Sequence, residues 1–153
     1  MHRFPRLHAA LDYAADAHRA QVRKGTDTPY LSHLLGVASL VLEHGGDEEQ
    51  AIAGLLHDVL EDCGAHHAPE IGRRFGPRVL AIVEACTDGT PDAAGEKPPW
   101  RARKEAYLQH LATASPDAVL VSACDKLHNA RAIATDAASG VDVFARFSAT
   151  PAE

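Results

Sequence analysis

Three short segments of this 153-residue chain concentrate the residue types that bind metals and move protons. The first is Leu55-Leu56-His57-Asp58-Val59-Leu60-Glu61-Asp62. On a helical wheel of about 100° per residue, Ile52, Leu55, Leu56 and Val59 fall on one side and His57, Asp58, Glu61 and Asp62 on the other. Three carboxylates and an imidazole this close repel one another unless a cation or solvent intervenes. Taken alone, the cluster also fits a solvated helix end.

The second segment lies on a helix whose Val119, Leu120, Val121, Ala123, Cys124, Leu127, Ala130 and Ile133 make it look central to the fold. Asp125, His128 and Asn129 project from it at i, i+3 and i+4, on a stripe shared with Val121 and Ala132. A buried carboxylate needs a partner or a metal, and an arginine or a helix cap would serve as well as an ion. The third segment runs from Arg23 to His33, with Arg23 and Lys24 before a loop and Ser32 and His33 at a helix start. His33 by itself reads as a core histidine. Combined, His33, His57, Asp58 and Asp125 offer two imidazoles and two carboxylates, enough for an open, octahedral-type site. That donor set suits manganese or iron, and also magnesium or zinc. A cation there would make water acidic enough to attack an ester.

Helices must position these groups, because apolar periods near 3.6 recur between Gly and Pro breaks and strand-like alternation is lacking. The first helix is expected over Pro5–Val22, with Leu7, Leu11, Ala14, His18 and Val22 on one stripe, followed by a loop over Arg23–Pro29. A second helix, Leu31–His44, stops at Gly45-Gly46, and Asp47 opens a third with Gln50 completing a capping box. A short helix over Pro69–Phe75 ends at Gly76, and Pro77 starts another that lasts to Thr87. Asp88–Pro99, with three prolines and two glycines, is a loop. A sixth helix covers Trp100–Ala114, and a seventh, capped by Ser115, runs to Ala138 before a helical fragment at Val141–Phe147. The expected fold is all-α, an orthogonal helical bundle forming one domain over residues 1–153.

Composition narrows the function. A net charge of -6 argues against a general nucleic-acid binder. Cys63, Cys86 and Cys124 are odd in number and lack CxxC spacing, which fits free thiols in a reducing cytoplasm. No apolar run approaches the roughly 20 residues that span a bilayer. His2, Arg3, Arg6 and His8 interrupt the N-terminal apolar residues, leaving no signal-peptide core. A cytoplasmic protein without membrane contact is expected.

The order Arg-Lys-Gly…Pro-Tyr…His, then His-Asp…Glu-Asp, then Asp-Lys-Leu-His-Asn resembles the hydrolase domain of the Rel/SpoT family and the small stand-alone alarmone hydrolases. The likeness runs from about Ala17 to Ile133. It implies an HD-type fold with manganese on His33, His57, Asp58 and Asp125. It implies that Glu61 and Asp62 position and activate the attacking water. Arg23 and Lys24 would hold the purine end of a nucleotide, and Asn129 its sugar. The implied reaction removes the 3′-pyrophosphate of guanosine tetra- or pentaphosphate, with adenosine analogues as further substrates. Arg101, Arg103 and Lys104, with Lys97 before them, could reach the polyphosphate, although a solvated helix start explains them equally well.

The chain departs from the family pattern at Leu34 (commonly proline), Cys63 (threonine), Lys126 (arginine) and Ala132, which offers no hydroxyl. Relatives continue into a further aromatic-bearing helix, so if Glu153 is a natural end, the pocket is expected to be more open or completed by another subunit in a homo-oligomer. Two other readings stand beside the alarmone hydrolase. One is another nucleotide phosphohydrolase, a nucleotidase or dNTPase, since the centre specifies the chemistry better than the substrate. The other is a non-catalytic nucleotide-binding regulatory module, against which the Glu61–Asp62 pair argues.

Overall fold

The computed structural model describes residues 4–87 and 99–146, without the side chains of Trp100 and Arg146. Among the described residues seven α-helices follow one another: α1 (Leu7–Ala17), α2 (Leu31–Glu43), α3 (Glu48–Leu56), α4 (Ala68–Phe75), α5 (Pro77–Cys86), α6 (Trp100–Leu111) and α7 (Pro116–Ala138). The architecture is the expected all-α bundle. Among the described residues, no helix is long and apolar enough to cross a membrane.

The third helix is its hub, packing against α1, α2, α5 and α7. Asp47 accepts from the Gln50 N–H while the Gln50 side chain returns a bond to the Asp47 N–H, so the capping box is present. Every residue from Ala51 to Leu56 is buried, rather than a single stripe. Gly54 is part of the reason. A Cβ there would meet the Ala38 backbone at 3.3 Å, so its absence lets α2 lie close against α3. Outside the core, Arg78 on α5 reaches Asp117 at 2.7 Å and Asp47 at 2.6 Å, tying the starts of α3 and α7 together.

Several elements differ from the sequence expectation. The first helix ends at Ala17, not Val22. The chain turns at His18, and the ends of the following loop bond to each other: Arg23 N–H to Thr28 O at 2.8 Å, and Tyr30 N–H to Gln21 O at 2.9 Å. Those pairs satisfy backbone groups that a longer helix would have used, and they leave Val22 49% exposed, off the buried stripe. The seventh helix is central only in its first half. Ala118, Val121, Ser122, Cys124 and Asp125 are buried, whereas Val119, Ala123, Ala130 and Ile133 face solvent. Near the end, Val141–Asp142 is not helical and a short 3-10 turn occupies Phe144–Arg146. Phe147 and most of the Asp88–Pro99 loop lie outside the described residues.

Candidate metal centre

The α3 helix stops at Leu56, just before the His57-Asp58 pair. The expected continuation of that helix through Asp62 does not occur. Instead Asp58 takes φ -98° and ψ -3°, a sparsely used bridge conformation often found at active sites, and a π turn spans Val59–Cys63. Gly64, at φ 119°, closes that turn by donating its N–H to Val59 O at 3.1 Å. Successive side chains on a regular helix diverge by about 100°. The break lets His57 and Asp58 aim at one point, with His57 Nε2 3.0 Å from Asp58 Oδ2.

His57 is held from behind, its Nδ1 2.9 Å from the Gly54 carbonyl oxygen. A carbonyl only accepts, so Nδ1 carries the hydrogen and, in the neutral ring, Nε2 presents a lone pair. That lone pair faces two carboxylate oxygens, Asp58 Oδ2 at 3.0 Å and Asp125 Oδ1 at 3.6 Å. Despite these contacts, the buried Nε2 has no hydrogen-bond partner. Lone pairs pointed at one another require a proton or a cation between them.

From the first turn of α2, the fully buried His33 places Nε2 3.1 Å from Asp125 Oδ1 and 3.7 Å from Asp58 Oδ2. His33, His57 and Asp58 together present ligand atoms that all lie within 4.8 Å of one another. Asp125 stands outside that compact trio, yet its Oδ1 reaches the inner nitrogens of both histidines. Neighbouring ligands around one divalent cation sit roughly 3 Å apart for bonds near 2.1 Å. Spacing, donor chemistry and the orphaned His57 nitrogen therefore all fit a metal ion.

Burial opposes charge throughout this cluster. At His57 the adjacent Asp58 and Asp125 outweigh burial and raise the imidazole well above its ordinary 6.5. At His33 burial prevails and lowers it. Burial also works against the Asp58 carboxylate, but His57 and the Tyr30 hydroxyl hold it below the usual range. His33 and His57 do the same for Asp125. Without a cation, a proton on His57 takes its place.

Around the trio, the other expected site residues take varied positions. Asn129 donates Nδ2 to Asp125 Oδ1 at 2.7 Å and accepts from Arg23 Nη2 at 3.1 Å, which links the two expected nucleotide contacts to an expected ligand. Lys24 is exposed. Asp62 is exposed and accepts from Gln21 Nε2 at 2.8 Å, while Glu61 is half-buried on the π turn. Arg101 pairs with Glu105 on the surface of α6, and Arg103 and Lys104 are half-buried on the same helix. Lys97 lies outside the described residues.

Four contributors had no role assigned from sequence. Tyr30 donates its hydroxyl to Asp58 Oδ2; its place three residues before His33 was the available signal. Lys126 Nζ lies 2.6 Å from Asp125 Oδ2 and 5.3 Å from the Tyr107 ring centroid. His128 reaches His33 through a 2.9 Å contact between their Nδ1 atoms. Gln21 accepts from His18 Nδ1 at 2.6 Å, and His18 stacks on Tyr30 with centroids 5.2 Å apart. Nothing in the sequence marks Gln21, because its role depends on the turn after α1.

Known proteins resemble this chain in sequence and in fold. A family model described as HD domain matches residues 10–151. The chain is 38% identical over 125 residues to the guanosine-3′,5′-bis(diphosphate) 3′-pyrophosphohydrolase MESH1 of Xenopus tropicalis, covering 80% of this chain and 66% of that protein. It therefore spans just under two thirds of that relative's length. The guanosine-3′,5′-bis(diphosphate) 3′-pyrophosphohydrolase of Aquifex aeolicus is 37% identical over 129 residues, covering 83% of this chain and 18% of that protein. Among solved structures, a metazoan ortholog of SpoT that hydrolyzes ppGpp superposes with a TM-score of 0.76 at 32% identity, over 88% of this chain and 74% of that one.

Proposed function

The chain belongs to the HD domain family, and from that premise we propose that it is a metal-dependent 3′-pyrophosphohydrolase of guanosine or adenosine 3′-pyrophosphates such as ppGpp. The observation that carries the metal-dependent part is the buried His57 Nε2, unpartnered and facing two carboxylates. The substrate follows from relatives whose names state that reaction.

His33, His57, Asp58 and Asp125 would hold the ion, with manganese as the proposed metal for two imidazoles and two carboxylates. When bound, a divalent cation supplies Lewis acidity to a phosphoryl group and to water. Glu61 and Asp62 orient the attacking water and take its proton. Gln21 restrains Asp62 in that task, since its amide is itself held by His18. The water oxygen bonds to the phosphorus attached to the 3′ oxygen, and the 3′ oxygen leaves with a proton. Pyrophosphate and GDP or GTP result, or the adenosine counterparts. Arg23 and Lys24 hold the base, Asn129 the sugar, and Arg101, Arg103 and Lys104 with Lys97 steady the phosphates.

Product analysis tests this directly. Purified protein with manganese is offered 3′-pyrophosphorylated guanosine and adenosine nucleotides, dNTPs and cyclic dinucleotides. Pyrophosphate release confined to the 3′-modified species is expected. Turnover of dNTPs alone, or of none of the panel, overturns the proposal.

A further inference from the structure

His128 lies on α7, three residues beyond Asp125, and the reaction outlined above gives it no task. Its ring meets His33 edge-on, with centroids 4.8 Å apart and planes inclined by 61°. The two Nδ1 atoms lie 2.9 Å apart, so one ring donates and the other accepts. Gly36 makes room for this contact. A Cβ at Gly36 would sit 2.2 Å from His128 Cδ2 and Nε2, an overlap that no small shift relieves. One residue type on α2 thus admits an imidazole from α7 to the back of another imidazole on α2.

We infer that His128 is a positioning residue for the metal centre, setting the tautomer and ring orientation of His33 through the Nδ1–Nδ1 hydrogen bond, with Gly36 as the socket that admits it. The inference rests on the proposed metal site. His33 offers Nε2 to the centre only if its hydrogen resides on Nδ1, and that hydrogen needs an acceptor because His33 is buried. His128 Nδ1 is that acceptor, which places its own hydrogen on Nε2. Histidine ligands usually donate the outer N–H to a carboxylate, carbonyl or water. His57 follows that rule through Gly54 O, and His33 uses a second histidine instead.

The test is manganese binding to metal-stripped protein, measured by calorimetry or electron paramagnetic resonance alongside the melting temperature of the stripped form. Removing such an outer partner commonly weakens metal binding by about 10–100-fold, and His128→Leu is expected to do so. His128→Asn places an amide oxygen close to the position of Nδ1 and should bind within about threefold of wild type. Gly36→Ala leaves every proposed ligand in place but expels the His128 ring, so it should show the His128→Leu loss. Wild-type affinity in both His128→Leu and Gly36→Ala overturns the inference. So does loss of affinity in Asn equal to that in Leu, because packing rather than an acceptor would then be at stake. Wild-type protein that binds no manganese overturns the metal centre itself, and this inference with it.

Discussion

His57 and Asp58 are neighbours in sequence, yet their side chains face the same point, His57 Nε2 lying 3.0 Å from Asp58 Oδ2. This follows from the break between Leu56 and Val59, where the α-helix gives way to a π turn. The contact has no hydrogen-bond geometry, although the nitrogen is buried. An arrangement that is unfavourable when empty of charge is one that a cation stabilises, and the predictions follow from that.

Protonation and metal binding should exchange as pH changes. The raised His57 contributes stability to the metal-free protein that is fully present below its ordinary 6.5 and is lost as pH rises through the folded value. The depressed Asp58 and Asp125 contribute stability present above their ordinary 3.8 and lost as pH falls through their folded values. The lowered His33 works in the opposite sense as pH falls below 6.5, but the shift at His57 is the larger, so chelated protein should melt at lower temperature at about pH 9 than at about pH 6. Manganese at roughly 100 times its Kd should restore about 2.7 kcal/mol at the alkaline end. Calorimetric melts with and without chelator decide it; a chelated melting temperature that rises over this interval contradicts the reading.

Asp58→Ala and Asp125→Ala should each abolish turnover and lower metal content. Either change removes a negative charge that holds the ion and leaves the other ligands poorly compensated. Metal analysis beside steady-state kinetics measures both effects. Near wild-type rates at equal manganese in either variant would remove that residue from the centre.

Glu61→Gln separates water activation from metal binding. It keeps the side-chain size and removes the charge, so kcat should fall by about 10²–10⁴-fold while metal content and nucleotide affinity change little. A rate within about threefold of wild type, under about 0.7 kcal/mol, would mark Glu61 as an ordinary residue of a helix end. If the variant loses its metal too, Glu61 is a ligand instead.

Tyr30→Phe removes the hydroxyl that donates to Asp58. That bond favours the ionised carboxylate, so its loss raises the Asp58 pKa and lets protons compete with the cation at higher pH. The midpoint of manganese binding on the acid side should move upward, at a cost on the order of 1.5–3 kcal/mol for a hydrogen bond to a charged group. A pH titration of metal binding reads it, and an unmoved midpoint would assign Tyr30 to packing alone.

Much of the fold is legible without coordinates. Asp47 with Gln50, Ser115 before Pro116, and Gly76 before Pro77 mark helix boundaries by local hydrogen bonding and φ preference, and they fall where the structure has them. The end of α1 was not legible, because Gln21 and Arg23 bond to residues across a loop rather than to the preceding turn. The break at His57 was not legible either, since the apolar periodicity runs on through Val59 and hides the change of winding.

By itself, the sequence determined which chemistry was available: paired imidazoles and carboxylates, a charged run before a loop, and helices able to carry them. Those are properties of residue type and of spacing within one or two turns, where the chain's own geometry decides what is near. Tertiary structure alone decided that His33 meets His128 across 95 positions and Arg23 meets Asn129 across 106. It also left His57 Nε2 buried without a partner. Contacts at such separations depend on how α2, α3 and α7 pack, and packing is set by the whole core, down to the missing Cβ atoms of Gly36 and Gly54.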